Sequence, residues 1–307
     1  MTAGGDLVFP LIPSRRGGAL DVAGRSSRRR GSGDEVASSR PYRRGDTLRT
    51  IDWAASARLS TARGSDEFVV RDHFAEDAVR VVIVVDRSRS MEIFPSSLPW
   101  LDKPAAVLEA GRLILASGAA TNALTGFAEA GGQDPRLVPA RRGREHLRAI
   151  EHRIEARAAG PPDSLDRALA LLSRSAATIM PGTFVFLLSD FLPLPDASTL
   201  HDALSAGWDV VPVVIQDPVW EQSFPDVGGV TLPLVDPEAG RVLPVHLSRK
   251  EAAARRLLNE ERTGRLHDVL LGLGLDHVTI TTSDRPAVHA SFLAWAEGRR
   301  AMSRSAR

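Results

Sequence analysis

The distribution of apolar residues changes character near residue 78. Downstream of this point, short apolar runs alternate with segments of helical periodicity. The runs 79–85, 183–188 and 209–215 are typical of strands that are covered on both faces. The other predicted elements are short strands at 123–127, 136–139 and 277–282 and helices at 104–120, 143–158, 164–176, 197–206, 248–273 and 286–300. Strands that are separated by helices predict an α/β fold with a doubly wound, mostly parallel sheet.

The same pattern predicts how the chain is organised. Residues 1–77 are rich in Gly, Ser and Arg and contain strand-like pieces at 7–12 and 67–70, so we expect a partly β N-terminal extension. Residues 78–302 are expected to form the α/β domain. Within it, residues 218–247 interrupt the alternation with Pro, Gly and alternating apolar positions, which predicts a hairpin insertion.

Composition excludes several classes of protein. The 307 residues include no cysteine, so thiol catalysis and cysteine-bound zinc are excluded, and the net charge of +1 creates no general field for nucleic acid. No run of eighteen apolar residues occurs, so we expect no membrane span and a cytoplasmic protein. The run Arg28–Arg29–Arg30 either contacts an acidic surface or is a solvated loop.

Polar side chains follow two of the buried runs and precede one helix. In parallel sheets, ligands bind outside the carboxyl ends of the strands, so these side chains are expected to meet at one edge. Carboxylate and hydroxyl oxygens without histidine suit Mg²⁺ or Mn²⁺. The candidate metal ligands are Asp86, Ser88, Ser90, Asp163, Ser164 and Asp190.

The sequence Asp86-x-Ser88-x-Ser90 after the first buried strand resembles the metal-ion-dependent adhesion site of von Willebrand factor A domains. This resemblance implies a Rossmann-type von Willebrand factor A-like fold and a cation that grips an acidic group on a protein partner. Arg87 and Arg89 flank the expected cation site. If their side chains point outward, they would favour an acidic partner; otherwise they serve solubility alone.

Residues 42–58 resemble the signature of a bacterial family, domain of unknown function fifty-eight. The matching positions are Tyr42, Gly45, Asp46, Arg49, Ile51, Asp52, Trp53, Ala57 and Arg58. The resemblance covers about residues 30–300. It implies a partnership with a MoxR-type AAA+ ATPase in the assembly or activation of other proteins. Many relatives carry two N-terminal transmembrane segments; the apolar runs of this sequence are too short for such segments, so we expect no membrane tether.

Two features leave alternatives open. The adhesion-site pattern has threonine where this chain has Asp163, so Asp163 binds the cation more tightly, Ser164 supplies the hydroxyl instead, or the site is inactive. In the signature, Arg49, Asp52 and Arg58 either pair with each other while Trp53 packs on the flank of the sheet, or they form a docking surface.

The function that we predict is a non-enzymatic, metal-dependent protein-interaction module, an adaptor for a MoxR-type ATPase. One alternative is a structural subunit with a non-functional metal loop. A magnesium-dependent phosphoester enzyme is the other, in which Arg87 or Arg89 would stabilise charge, but the sequence offers no evident general base.

Overall fold

The computed structural model describes residues 7–14, 26–42, 51–64, 67–76, 78–92, 101–132, 135–156, 159–235 and 241–304. The chain divides into two compact units. The smaller comprises Gly18–Ala78, and the larger comprises Met1–Gly17 together with Val79–Arg307. Each unit is described by itself.

Within its described residues, the smaller unit contains an antiparallel strand pair and a helix. Strand β1 (Ser26–Pro41) pairs with β2 (Val69–Glu76), and helix α1 (Trp53–Arg63) lies between them in sequence. A carboxylate oxygen of Asp52 accepts from the backbone N–H of Ala55 at 3.0 Å and so caps the helix. At the other end Gly64 adopts φ of 67°, a left-handed conformation that glycine reaches without strain. The sequence pattern did not predict this helix.

The larger unit is a layered α/β structure in which the predicted elements recur in order. Its strands are β3 (Arg80–Val85), β4 (Leu124–Glu129), β5 (Arg136–Arg141), β6 (Phe184–Ser189), β7 (Asp209–Ile215), β8 (Val230–Val235), β9 (Val242–Leu247) and β10 (Val278–Ile280). Its helices are α2 (Lys103–Ala120), α3 (Arg144–Glu155), α4 (Ser164–Arg174), α5 (Ala197–Ser205), α6 (Arg249–Gly272) and α7 (Arg285–Arg304).

Six of these strands form the central sheet, in the order β10-β7-β6-β3-β4-β5. Neighbouring strands are parallel except for β5, which runs antiparallel to β4 at one edge. The predicted doubly wound, mostly parallel α/β class is therefore confirmed. The chain order reverses direction between β3 and β6, which is the switch point where sheets of this kind place ligands.

The sheet is covered on both faces, as the apolar runs predicted. In β3, Val81, Ile83 and Val85 pack into the cluster beneath α2 and α7, and Val82 and Val84 pack into the cluster beneath α4. All five side chains are at most 3% exposed. Full burial of each of these side chains stabilises the fold by about 1.5–3 kcal/mol. The end of β3, where the following loop begins, is therefore held rigidly.

Residues 7–14 belong to the larger unit and are not a strand, contrary to the strand-like interpretation of 7–12. The ring of Phe9 is stacked on Phe292 of α7 with centroids 4.6 Å apart. Arg299 of α7 donates to the carbonyl of Ile12 at 2.7 Å and pairs with Asp209. Apolar packing and one buried arginine thus hold this segment without sheet hydrogen bonds.

The predicted insertion contains a hairpin, in which β8 and β9 are antiparallel and form a two-stranded sheet of their own. Helix α6 follows it and begins with a capping box formed by Ser248 and Glu251. Among the helices that the structure describes, none is both long enough and apolar enough to cross a membrane.

Candidate functional site

The loops after β3 and β6 and the loop before α4 meet at the carboxyl edge of the sheet. The hydroxyl of Ser189 donates to Asp86 at 2.7 Å, and the backbone N–H of Arg87 donates to the hydroxyl of Ser164 at 2.7 Å. Ser88 forms an isolated bridge with Gly160. The structure therefore brings the three loops together as the sequence predicted.

Asp86 lies at the base of this edge and is 5% exposed. One carboxylate oxygen accepts from the backbone N–H of Ser88 at 2.8 Å and the other accepts from Ser189. Burial and the nearby carboxylate of Asp190 raise the pKa of Asp86 above its ordinary value, although the hydrogen bonds oppose this. A positive charge near Asp86 would oppose both effects, because it stabilises the ionised carboxylate.

Ser88 and Ser90 present their hydroxyls side by side, with oxygens 3.0 Å apart. Both residues line an open cleft of about 670 Å³. The cleft is otherwise formed by Arg89, Gly132, Ala159, Gly160, Pro161, Pro162, Leu192 and Pro193. Two hydroxyls, one arginine and a largely apolar wall thus surround the opening.

Gly160 makes the close approach of two loops possible. Its N–H donates to the carbonyl of Arg87 at 2.6 Å. A Cβ atom at this position would lie 2.8 Å from the carbonyl oxygen of Ala130 and 3.1 Å from that of Arg87, and backbone oxygens do not yield easily. Glycine is therefore required for the loop before α4 to reach the Ser88 loop.

The two residues of the middle loop have different environments. Ser164 is fully buried, and its hydroxyl accepts the N–H of Arg87. The side chain of Asp163 is 54% exposed and forms a 2.9 Å ion pair with Arg167 one turn along α4. The structure therefore brings Ser164 to the Asp86 loop and directs Asp163 towards Arg167.

The last candidate, Asp190, is fully buried and bound to a lysine. One of its carboxylate oxygens accepts from Nζ of Lys103 at 2.8 Å, and the other accepts from the backbone N–H of Leu192 at 3.0 Å. Nζ of Lys103 also donates to the carbonyl of Ser90 and to Glu221. A protein ammonium thus already neutralises the second carboxylate of the proposed metal site.

The outward orientation considered for Arg87 is wrong. Arg87 is 7% exposed, and its guanidinium donates to Glu129 at 2.8 Å and to the carbonyls of Ile154 and Arg153 at 3.3 and 2.6 Å. Since α3 ends beside β4, its last carbonyls and Glu129 form a pocket that draws the side chain inward. Arg89 is exposed and lines the cleft. Of the two arginines, therefore, only Arg89 is placed where it could contact a partner.

The donor set fits a divalent cation in part. Asp86, Ser88 and Ser90 offer hard oxygen atoms beside an open cleft, which suits Mg²⁺ or Mn²⁺. Among the residues that the structure describes, no three His, Cys, Asp or Glu side chains converge in a group that could hold a metal ion. Asp163 and Asp190 are each paired with a cationic side chain, so a cation would depend on Asp86 and the serine hydroxyls.

Comparison with known proteins shows the family. A model described as "Protein of unknown function DUF58" matches residues 38–265, about three quarters of the chain. The chain belongs to the DUF58 family. Uncharacterized protein Rv1480 of Mycobacterium tuberculosis and uncharacterized protein Mb1516 of Mycobacterium bovis are each 31% identical to it over 214 residues. These matches cover 69% of this DUF58 chain and 63% of the relatives, so the chain spans less than two thirds of their length.

Solved structures with low sequence identity are also similar to this DUF58 chain. BatB from Bacteroides thetaiotaomicron is 17% identical, with a TM-score of 0.39, over 72% of this chain and all of its own. A von Willebrand factor type A protein from Catenulispora acidiphila is 15% identical, with a TM-score of 0.38, over 75% of this chain and 44% of its own.

The DUF58 signature lies partly within the described residues. Gly45, Asp46 and Arg49 fall outside them. Asp52 caps α1, and Nε of Arg58 donates to the carbonyl of Ala54 within the same helix. These contacts organise the local backbone.

Of the two alternatives for the signature, the one in which Trp53 packs on the flank of a sheet is wrong, because this side chain is 60% exposed. It lies edge-on to Phe68, with ring centroids 6.1 Å apart, and Tyr42 contacts the same ring at 6.4 Å. The three aromatic residues thus form a small exposed cluster in the smaller unit.

Sequence reasoning missed Lys103 and Glu221, which contact the site from α2 and from the turn after β7. A signal for Lys103 was present. The chain has only two lysines among its 39 basic residues, and one stands directly before the proline that begins a helix. A cation at a helix N-terminus opposes the helix dipole, so it implies a local acidic partner. Glu221 carried no comparable signal, because its turn has no periodicity.

Proposed function

We propose that this DUF58 chain is a non-enzymatic protein-interaction module that docks an acidic partner at the carboxyl edge of its central sheet. The observation that carries the proposal is the pair of adjacent hydroxyls of Ser88 and Ser90 on the wall of the 670 Å³ cleft. Buried behind them is the carboxylate of Asp86, which is 5% exposed and accepts hydrogen bonds from the N–H of Ser88 and the hydroxyl of Ser189. Hydroxyls and a buried carboxylate beside an open cleft are suited to share a cation with a partner's carboxylate.

In this proposal Asp86, Ser88 and Ser90 would hold Mg²⁺ or Mn²⁺, and Ser164 positions the loop through Arg87. The cation would supply the charge that attracts a carboxylate of the partner. Arg89, exposed beside the cleft, adds charge complementarity. Rim charges of this kind mainly raise the association rate, whereas a bridged contact in the centre slows dissociation.

The composition of the cleft favours docking over catalysis. Pro161, Pro162, Leu192 and Pro193 give it an apolar wall, and the polar groups lie at one side. An apolar centre beside polar contacts is the usual arrangement of protein interfaces. Phosphoester chemistry would instead need a base within hydrogen-bond reach of the attacking group.

The partner that we propose is a MoxR-type AAA+ ATPase, as the family resemblance implies. The test is biolayer interferometry between the purified chain and a MoxR-type ATPase from the same organism, with Mg²⁺ and with EDTA. We expect EDTA and Asp86→Ala to speed dissociation and Arg89→Glu to slow association. Arg174→Glu, an exposed position at the far end of α4, is the matched charge control and should leave both rates unchanged.

Binding that survives both EDTA and Asp86→Ala would move the docking surface away from this edge. The same preparation, incubated with p-nitrophenyl phosphate and Mg²⁺, tests the enzyme alternative. Phosphate release that depends on Asp86 would overturn the non-enzymatic part of the proposal.

A further inference from the structure

Lys103 is a deeply enclosed cation at the carboxyl edge of the sheet. Its side chain is 3% exposed, although it stands at the first position of α2. Nζ donates to Asp190 at 2.8 Å, to Glu221 at 2.5 Å and to the carbonyl of Ser90 at 3.1 Å. Three acceptors around one ammonium satisfy all three of its N–H donors.

The location is costly for a cation unless it is compensated. Burial removes its hydration, and the N-terminus of α2 repels positive charge. The carboxylates of Asp190 and Glu221, both within hydrogen-bond distance of Nζ, provide this compensation. Lys103 is therefore a charged ammonium, fixed between two carboxylates.

One of these carboxylates is a candidate metal ligand. Both oxygens of Asp190 are engaged, one by Lys103 and one by the N–H of Leu192. A divalent cation that bound Asp86, Ser88 and Ser90 would have to recruit Asp190 in competition with Lys103. It would also experience the repulsion of a nearby ammonium.

Glu221 makes an exchange feasible. It bonds to Lys103 through Oε1, while its Oε2 accepts from the N–H of Asp217 at 2.8 Å and its carbonyl accepts from Arg262 of α6 at 2.9 Å. Glu221 is therefore held in place independently of Asp190. If a cation took Asp190, Lys103 would keep one carboxylate and would not be left as an unpaired buried charge.

We propose that Lys103 is a tethered internal cation that competes with a divalent ion for Asp190 and so keeps the metal affinity of this edge low. Lys103 thereby determines how tightly the proposed metal site binds its ion. This inference rests on the proposed function. The ammonium supplies part of the charge that a metal would supply, so the loops after β3 and β6 stay together without a metal. A divalent ion then binds weakly and reversibly.

The experiment compares the wild-type chain with the double variant Lys103→Met/Glu221→Gln, by calorimetric titration with Mn²⁺ and by melting temperature with and without Mn²⁺. The double variant removes one positive and one negative charge, so it leaves the buried charge balance of the trio unchanged. The glutamine side chain retains an oxygen that can accept from the N–H of Asp217. The single variant Glu221→Gln, which keeps the Lys103–Asp190 pair, is the matched control.

We expect the double variant to bind Mn²⁺ about tenfold more tightly than the wild type or better, with a larger rise in melting temperature. The net charge of the trio is unchanged, but Asp190 no longer has an ammonium competing for its carboxylate and becomes available to the ion. Glu221→Gln alone should not gain affinity. Adding Asp86→Ala to the double variant should abolish the gain, which places the ion at this edge.

The outcomes separate this inference from the metal dependence of the proposed function. Equal Mn²⁺ affinity in the wild type and the double variant would overturn the role of Lys103 and leave the metal site standing. Binding by the double variant alone would support Lys103 as the internal cation and overturn metal dependence in the native chain. If neither the wild type nor the double variant binds Mn²⁺, while circular dichroism shows that both are folded, the role of Lys103 and the metal dependence of the proposed function are both overturned.

Discussion

Nε of Arg87 donates to Oε2 of Glu129 across 2.8 Å, and both side chains are more than nine tenths buried. This pair joins the loop after β3 to the end of β4. Arg87 also donates to the carbonyls of Ile154 and Arg153 near the end of α3, so its guanidinium ties three elements together. Arg87, although it lies inside the adhesion-site pattern, therefore holds the loop in place and does not contribute to the exposed surface of the loop.

Arg87→Ala should lower the free energy of unfolding by about 3 kcal/mol or more, because it leaves Glu129 as an unpaired buried charge. Arg89→Ala, two residues away and exposed, should change it by less than about 1 kcal/mol. Urea denaturation followed by circular dichroism measures both. Similar small effects for the two arginines would show that Glu129 finds another partner or water.

The contrast between Arg87 and Arg89 marks the limit of the sequence reasoning. Apolar runs predicted β3, β6 and β7 and hence the edge at which the polar residues meet, since burial of a strand depends on its own composition. The direction of an arginine side chain depends on Glu129 and on the carbonyls of α3, which are 42 or more residues away. Spacing within the loop holds no information about those partners.

The middle loop provides a second prediction, built on the different environments of its two candidates. Ser164→Ala removes the buried acceptor of the N–H of Arg87, and a buried donor without a partner costs about 1–3 kcal/mol. Asp163→Ala removes only an exposed pair with Arg167, worth less than about 1 kcal/mol. We also expect Mn²⁺ affinity to fall in Ser164→Ala and to stay within about twofold in Asp163→Ala. A large loss of affinity in Asp163→Ala would restore Asp163 as a ligand.

Lys103 and Asp163 show why the ligand set was harder to predict than the edge. The structure places the acidic and hydroxyl residues after β3, after β6 and before α4 at the same edge of the sheet. Whether a carboxylate is available depends on the nearest cation, and here Lys103 reaches Asp190 from 87 residues away and Arg167 reaches Asp163 along α4. The Asp163–Arg167 pair, four residues apart on one helix, can be predicted from sequence. The Lys103–Asp190 pair cannot, because it depends on how α2 packs against the sheet.

His277 makes stability depend on pH. Burial and the nearby His267, whose ring is stacked on it at 5.2 Å, lower the pKa of His277 from its ordinary value of 6.5, and Asp276 opposes this. The folded state thus binds a proton less readily than the unfolded state. The contribution of neutral His277 to the free energy of unfolding is fully present above about pH 6.5, and it is lost as the pH falls through the lower pKa that His277 has in the folded state.

His277→Asn should therefore flatten the loss of stability on acidification. Urea midpoints at about pH 7.5 and about pH 5.5 give the comparison, and the difference between them should be smaller in the variant than in the wild type. An unchanged difference would assign the acid sensitivity to other groups.

The last prediction concerns Gly160, on which the convergence of the loops depends. Its N–H bonds to the carbonyl of Arg87, and an added Cβ would meet two backbone oxygens at 2.8 and 3.1 Å. Because backbone cannot rotate away as a side chain can, Gly160→Ala should push the loop before α4 away from the Ser88 loop. We expect a loss of about 1–3 kcal/mol in the free energy of unfolding, the usual cost of overpacking.

The matched control is Gly264→Ala. Gly264 lies inside α6, and an added Cβ there would have no neighbour within 4 Å. Alanine in a helix interior is favoured over glycine by about 1 kcal/mol, so this variant should be more stable than the wild type. Opposite signs for the same chemical change would show that the close approach at Gly160, and not the loss of glycine flexibility, sets the effect. If Gly160→Ala proved as stable as the wild type and kept its Mn²⁺ affinity, the loop before α4 would not need to contact the Ser88 loop, and Ser164 would lose its place in the site.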